Sequence, residues 1–344
     1  MKAALLTEPR TFSVTDVPTP APGPGEVLVR VRYTGVCGSD LHFWQNGRIG
    51  DVSLTEPFVM GHELCGVIED TNGVSSSPPV GTRVAVEPAV SCGGCPFCLS
   101  GRENICPHVK FTGFPPYQGA FAELLAIHAE NVCHLPDNIS DEVAPLLETL
   151  AVALHGFELV PNVKGKDCAL LGAGSVGLLV LTELVRRGAN VSLVTEPVAE
   201  RREFARKIGC AHVFDPRDRE GIRSHLDRID NYGPELVFEA AGEPESFQDA
   251  FDLARPGGMV CIFGIYPKGS FTIDFSHPRR KELVSVFVRR SLPRNYPEAI
   301  HLVSKGKIDI APLITHSFPL SDIGQAFELA VARRDGVIKT VVRI

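Results

Sequence analysis

Cys168-Ala169-Leu170-Leu171-Gly172-Ala173-Gly174-Ser175-Val176-Gly177 reads as a strand that runs into a glycine turn and out into an apolar helix through Leu184. A Gly-x-Gly-x-x-Gly pattern is weak by itself, but here a strand precedes it and a helix follows, the context it requires. Gly172 and Gly174 permit a tight turn and close approach of backbone to a pyrophosphate, and Gly177 lets helix and sheet pack closely. Ser175 and Val176 open the helix, whose N-terminus holds an anion.

The next strand, Asn190 to Thr195, ends at Glu196, nineteen residues beyond Gly177. A carboxylate there accepts both ribose hydroxyls of an adenosine and repels a 2′-phosphate. Arg201 and Arg202 pull mildly the other way, because a nearby arginine accommodates that phosphate. Hydrogen bonds to a charged acceptor contribute roughly 1.5–3 kcal/mol, and burying two anions together forfeits them. Glu196 should therefore dominate, which makes NAD the expected cofactor rather than NADP, with Arg201 packed on the adenine face. Further strands are expected at Ala211 to Phe214, Leu236 to Gly242, Met259 to Gly264 and Leu283 to Val288, separated by polar-faced helices. Strand alternating with helix in this way is a doubly wound parallel sheet.

Ahead of this region the text changes. From Lys2 to about Val86 it is strand-like, with alternating runs such as Glu26-Val27-Leu28-Val29-Arg30-Val31-Arg32-Tyr33 bounded by Pro and Gly. Pro18, Pro20, Pro22 and Pro24 form a stiff connector. Behind the alternating region, helices near Pro297 to Ser304 and Ser321 to Ala332 and a strand Ile338 to Arg343 are too few for a third domain, so they should return to the first.

Two short glycine-flanked segments carry the chemistry: Gly35-Val36-Cys37-Gly38-Ser39-Asp40-Leu41-His42 and Gly61-His62-Glu63. A thiolate, an imidazole and a carboxylate suit one zinc ion in a tetrahedral shell. Three protein ligands leave a corner open, where zinc acts as a Lewis acid and acidifies a bound hydroxyl. Ser39 and His42, two and five residues beyond Cys37, would carry a proton from that corner to water. The competing reading makes Cys37 a small core residue, His62 and Glu63 a loop pair, Ser39 a turn residue and His42 a surface residue. Glu148 lies in the apolar run Ala144 to His155, where an unpaired carboxylate is costly. It is expected to face the same metal, directly or through water; the alternative is an acid favoured near a helix start. His155 reads as a packed core histidine.

Cys92, Cys95, Cys98 and Cys106 crowd into one loop. Four thiolates match a closed zinc site with no corner left for chemistry, and the ion would contribute an apparent ~10–16 kcal/mol to ordering the loop. Left unligated, the four thiols would be open to oxidation. The remaining cysteines, Cys65, Cys133, Cys168, Cys210 and Cys261, read as core positions once Cys37 is set aside.

The 344 residues suffice for about two domains with substantial cores. Hydrophobic residues at 44% and charged residues at 22% argue against disorder and fibres. A net charge of -7 gives no electrostatic reason to expect nucleic acid or an anionic membrane as partner. No apolar run is long enough to span a bilayer, and the start is too soon polar for a signal peptide. The expected location is the cytoplasm, where clustered cysteines favour metal over disulfide.

These segments, with Val86-Glu87-Pro88, Gly47-Arg48-Ile49-Gly50 and the cysteine loop, resemble the zinc-containing medium-chain dehydrogenase/reductase family, and within it the sorbitol (polyol) dehydrogenase branch. The resemblance covers essentially the whole chain. It implies an α/β plus β fold: a GroES-like catalytic domain over 1–152 and 289–344, with its structural zinc loop near 90–107, and a Rossmann NAD-binding domain over 153–288. It further implies two zinc ions per chain, a homodimer or homotetramer, Cys37 and His62 as ligands of the catalytic zinc, Glu63 ligating or exchanging with water, and Glu148 at the metal or its water. Two departures touch the substrate. The branch carries a tyrosine where this chain has Phe43, and an Arg-Tyr pair where it reads Val288-Arg289-Arg290-Ser291-Leu292-Pro293-Arg294-Asn295-Tyr296. Arg289 or Arg290 is left to hold a substrate with fewer hydroxyls than sorbitol. The expected activity is NAD-linked oxidation of a secondary alcohol; its rivals are a threonine or other secondary-alcohol dehydrogenase and, in another class, a non-catalytic dinucleotide-binding protein.

Overall fold

The structure, a computed structural model, describes residues 1–229, 232–266 and 270–344. The chain divides into two compact units, Met1–Ala151 with Ser291–Ile344, and Val152–Arg290.

The first unit is built on β-structure. In the strand Glu26–Gly35, Val27, Val29 and Val31 are buried while Leu28 and Arg30 between them are more open, the period-two alternation of a half-buried strand. Those valines pack with Leu64, Ile68, Val84 and Val86 of the neighbouring strands. A seven-stranded sheet results, in which Glu26–Gly35 pairs with Glu63–Asp70, Leu124–His128 and, near its end, the C-terminal strand Lys339–Arg343. The last pairing sets Val341 opposite Gly35 and so brings the far end of the chain beside the Gly35–Cys37 segment. A second core collects Phe43, Trp44, Phe121 and Phe327, with Phe327 against Trp44 at 5.6 Å and against Phe121 at 5.7 Å.

The second unit holds six parallel strands: Asp167–Leu171, Asn190–Thr195, Val213–Phe214, Leu236–Glu239, Met259–Ile262 and Val284–Phe287. Counted in chain order they lie 3-2-1-4-5-6 across the sheet, so direction reverses between the first and fourth strands, the point where this fold binds dinucleotides. Ala169, Leu171, Val237 and Val260 pack against Phe247 and Phe251 of the helix Pro244–Leu253. The last four strands are shorter than the apolar runs suggest: Val213–Phe214 pairs over only the last two residues of its run, and Leu236–Glu239, Met259–Ile262 and Val284–Phe287 over four residues each. None of the helices among the described residues is long and apolar enough to cross a membrane.

Candidate active site

Cys37 precedes the helix Gly38–Asn46; His62 immediately precedes the strand Glu63–Asp70, which Glu63 begins. One donor atom from each of Cys37, His62 and Glu63 lies within 4.8 Å of the others. His62 and Glu63 are buried and Cys37 is half-buried. Gly35 makes room for this approach, since a Cβ there would overlap the Glu63 carboxylate at 2.1 Å.

Asp40, which the motif reading passed over, organises the cluster. Fully buried, it accepts the Cys37 backbone N–H at 3.1 Å through Oδ2 and faces His62 Nδ1 at 3.3 Å through Oδ1. With Nδ1 turned to a carboxylate, Nε2 is the nitrogen left for an ion, the arrangement in which metal-binding histidines are usually held. Burial alone would push the His62 imidazole down; the Asp40 carboxylate and the Cys37 thiol outweigh it and hold the ring well above its ordinary value.

Glu63 has a second commitment. Its Oε1 accepts the Thr149 hydroxyl at 3.0 Å and the Lys339 ammonium at 2.6 Å, and Lys339 also reaches Oε2. Lys339 is 2% exposed; burial would push it down, and Glu63 and Cys37 nevertheless hold it above its ordinary value. No local pattern points to Lys339, because it lies 276 residues from its partner.

Glu148 is buried, on the helix Leu146–Glu158, and stands outside the group of three donors within 4.8 Å. Burial pushes its carboxyl up to about 8, His62 pulls it back, and Glu63 and Glu87 push it further. Glu87, a further buried acid, accepts the Ser291 hydroxyl at 3.2 Å. Asp40, Glu63, Glu87 and Glu148 thus share one buried neighbourhood with a thiol, against the cations Lys339 and His62. Such an acid-rich donor set fits a divalent cation, because buried anions without countercharge are costly.

Ser39 is buried and His42 half-buried on the same helix, three residues apart and so on one face. Phe43 lies fully inside the core, stacked edge-on with Phe114 at 5.8 Å. Phe111 and Phe114 flank the His62 ring at 5.2 and 5.7 Å; the motif reading did not include either.

In the cysteine loop, Sγ of Cys95 lies 3.4 Å from that of Cys98 and 3.9 Å from that of Cys106, with Cys92 to Cys98 at 3.9 Å. A zinc tetrahedron with bonds of about 2.3 Å has edges of about 3.8 Å, so the four sulfurs fit one ion. Backbone N–H groups of Gly94 and Cys95, then Cys106, pull the Cys92 thiol down to about 6. All ten cysteines are free of disulfides.

In the second unit the glycine turn has the close contacts that its residues allow. Gly172 sits at φ 92, where a Cβ would lie 2.6 Å from the Ala241 backbone nitrogen, and one on Gly177 would lie 2.0 Å from the Gly172 carbonyl. Gly174 is open, with only the Arg201 guanidinium within 4 Å of such an atom. Ser175 begins the helix Ser175–Arg186, and Gly177 and Leu178 are buried in it. Glu196, 3% exposed, accepts the Ala173 N–H at 2.8 Å and the Val198 N–H at 3.0 Å. Each of its oxygens keeps a second lone pair for a ribose hydroxyl. Arg202 donates to the carbonyls of Glu196 and Pro197 at 2.7 and 2.8 Å, which ties it to the backbone. This open glycine turn at a helix start suits a dinucleotide pyrophosphate. Arg289, exposed, and Arg290, half-buried at φ 54, end the unit. His155 is buried beside Glu158, 3.3 Å away.

The alcohol dehydrogenase GroES-like domain family matches residues 23–137, and the zinc-binding dehydrogenase family residues 175–305. Sorbitol dehydrogenase of Bacillus subtilis is 32% identical over 342 residues, 99% of this chain and 97% of its own length. L-threonine 3-dehydrogenase of Pyrococcus horikoshii is also 32% identical over 342 residues, 98% of this chain and 97% of its own. Two solved structures, a putative zinc-binding dehydrogenase from Sinorhizobium meliloti bound to NADP and an alcohol dehydrogenase from Escherichia coli complexed with NADH, superpose with TM-scores of 0.89 at 28% identity. Each alignment covers 100% of this chain and 99% of the other. A GroES-like sheet carrying a thiol, imidazole and carboxylate cluster, joined in one chain to a 3-2-1-4-5-6 parallel sheet, agrees with these matches over its full length, and the chain belongs to the zinc-containing medium-chain dehydrogenase/reductase family.

Proposed function

We propose that this chain reversibly oxidises a secondary alcohol, a polyol of the sorbitol, xylitol or arabinitol kind, to a ketone with NAD as hydride acceptor. One observation carries the reading: the donors of Cys37, His62 and Glu63 converge within 4.8 Å, on and beside a helix that also presents Ser39 and His42. Zinc held by Cys37, His62 and Glu63, with Glu148 at its water, would supply Lewis acidity to the substrate hydroxyl. Ser39 takes up the hydroxyl proton as it gives up its own, and His42, half-buried one turn on, passes a proton to solvent. Asp40 keeps His62 in one tautomer throughout. Lys339 and Thr149 hold the Glu63 carboxylate in place beside Cys37 and His62. Cys92, Cys95, Cys98 and Cys106, whose sulfurs lie within reach of one ion, would hold a second, structural zinc. Engagement of Glu196 at the glycine turn and of Arg202 with the backbone supports NAD over NADP.

Arg289 and Arg290 are the proposed holders of the substrate's remaining hydroxyls. Phe43, buried and without a hydroxyl, acts by packing and favours a less hydroxylated alcohol, which keeps a threonine or simple secondary-alcohol dehydrogenase as the second reading. The assembly is a homo-oligomer. In support, the edge strand Val284–Phe287 leaves Val284 and Phe287 51% and 64% exposed, a surface that invites pairing with a second copy. The test measures NADH formation with xylitol, sorbitol, threonine and simple secondary alcohols in the wild type and in Cys37→Ala and His62→Ala. Turnover in either variant equal to wild type would overturn the metal-assisted mechanism. A wild type that binds NAD and oxidises none of the panel would favour the non-catalytic class.

A further inference from the structure

Glu239 ends the fourth parallel strand with its carboxylate fully buried. Oε1 accepts the Ala241 N–H at 2.9 Å, the Gly242 N–H at 2.9 Å and the Ser246 hydroxyl at 2.6 Å; Oε2 accepts the Tyr266 hydroxyl at 2.6 Å. Four donors converge on one acceptor-only group and satisfy it. They come from three places: the turn after the fourth strand, the first turn of the helix Pro244–Leu253, and the segment after the fifth strand. Burial and then Glu239 hold the Tyr266 hydroxyl above its ordinary pKa, so it remains a donor. Gly264 lies against the same carboxylate, and a Cβ there would overlap Oε2 at 2.2 Å.

The segments so joined border the dinucleotide site. Ala241 packs directly on Gly172 of the glycine turn. In this fold the two mononucleotide halves divide between strands one to three and strands four to six. Glu196, after the second strand, belongs to the adenosine half; the turn at 240–242 and the segment at 264–266 belong to the other. We propose that Glu239 is a positioning residue for the nicotinamide half of the cofactor, clamping those two segments through Ala241, Gly242 and Tyr266 at the spacing the ring requires. Without this anion, two N–H donors in the turn, the Ser246 hydroxyl on the helix and the Tyr266 hydroxyl would lose their common acceptor, and the two segments would move independently. The inference rests on the dinucleotide reading of the glycine turn.

Titration calorimetry on the whole protein separates the two ideas, with NADH as the complete ligand and ADP as its adenosine half. Tyr266→Phe removes one donor and keeps the ring; Glu239→Gln keeps the shape and turns one acceptor oxygen into a donor. Glu239→Gln should raise the NADH Kd about tenfold or more, the scale of one lost hydrogen bond to a charged acceptor, with Tyr266→Phe moving it the same way. ADP affinity should stay within about twofold of wild type in both. Amide hydrogen exchange at Ala241 and Gly242 should quicken in Glu239→Gln. If NADH and ADP weaken in parallel, or neither changes in Tyr266→Phe, the clamp is overturned. A wild type that binds neither ligand would overturn the dinucleotide reading itself.

Discussion

Asp40→Asn tests the centre of the first unit. The asparagine keeps an oxygen for the Cys37 N–H, now 3.1 Å from Oδ2, and sets its NH2 toward His62 Nδ1, now 3.3 Å from Oδ1. An amide donor facing Nδ1 makes that nitrogen the acceptor and moves the ring proton to Nε2, the nitrogen needed for an ion. Loss of such an outer partner typically costs 10–100-fold in metal affinity, or roughly 1.4–2.7 kcal/mol. Asparagine is close in shape, so the core around Phe43 and Trp44 should hold and the melting temperature of metal-depleted protein should change little. The assay is competition with a graded zinc chelator, followed by metal analysis. Wild type should retain two ions with distinct affinities; Asp40→Asn should release one of them 10–100-fold more readily, while the ion in the Cys92–Cys106 loop stays as an internal control. Equal retention of both ions would refute the role assigned to Asp40.

Three further outcomes are expected. Lys339→Met leaves Glu63 buried without its cation, and metal-depleted protein should lose about 3–5 kcal/mol in urea unfolding; a loss under about 1 kcal/mol would show that Thr149 suffices. Glu196→Ala removes the acceptor at the Ala173 N–H and should weaken NAD about tenfold or more while NADP gains relative to it; unchanged preference in steady-state kinetics would count against Glu196 as the selector. Phe287→Lys places a charge on the exposed sheet edge and should shift sedimentation toward monomer without changing far-ultraviolet dichroism; an unaltered oligomer would exclude that edge as the interface.

Both fold class and family could be read directly from the chain. Gly172, Gly174 and Gly177 between a strand and a helix have few other uses, and Cys37, His62 and Glu63 come as chemically distinctive types on short segments. Each of these signals is local, since the chemistry is written within a few residues. Asp40 lies within the same motif, but its residue type and position do not show that it meets the Cys37 N–H and His62 Nδ1. Glu87 stood in one of the motifs that carry the resemblance but had no role there, and nothing local to Glu239 points to its four donors. Phe43 was expected at the substrate, and the structure places it inside the core, since alternate positions of a short helix cannot all face one site.

Sequence alone determined the residue types: which side chains can bind metal, where a backbone can approach a pyrophosphate, and which runs form strands. Tertiary structure decided their partners. Lys339 meets Glu63 because the C-terminal strand pairs with Glu26–Gly35, and Tyr266 meets Glu239 because the fourth and fifth strands lie side by side. Buried charges are tolerated only where such partners arrive, and those arrivals depend on strand order and register, which join residues far apart in the chain.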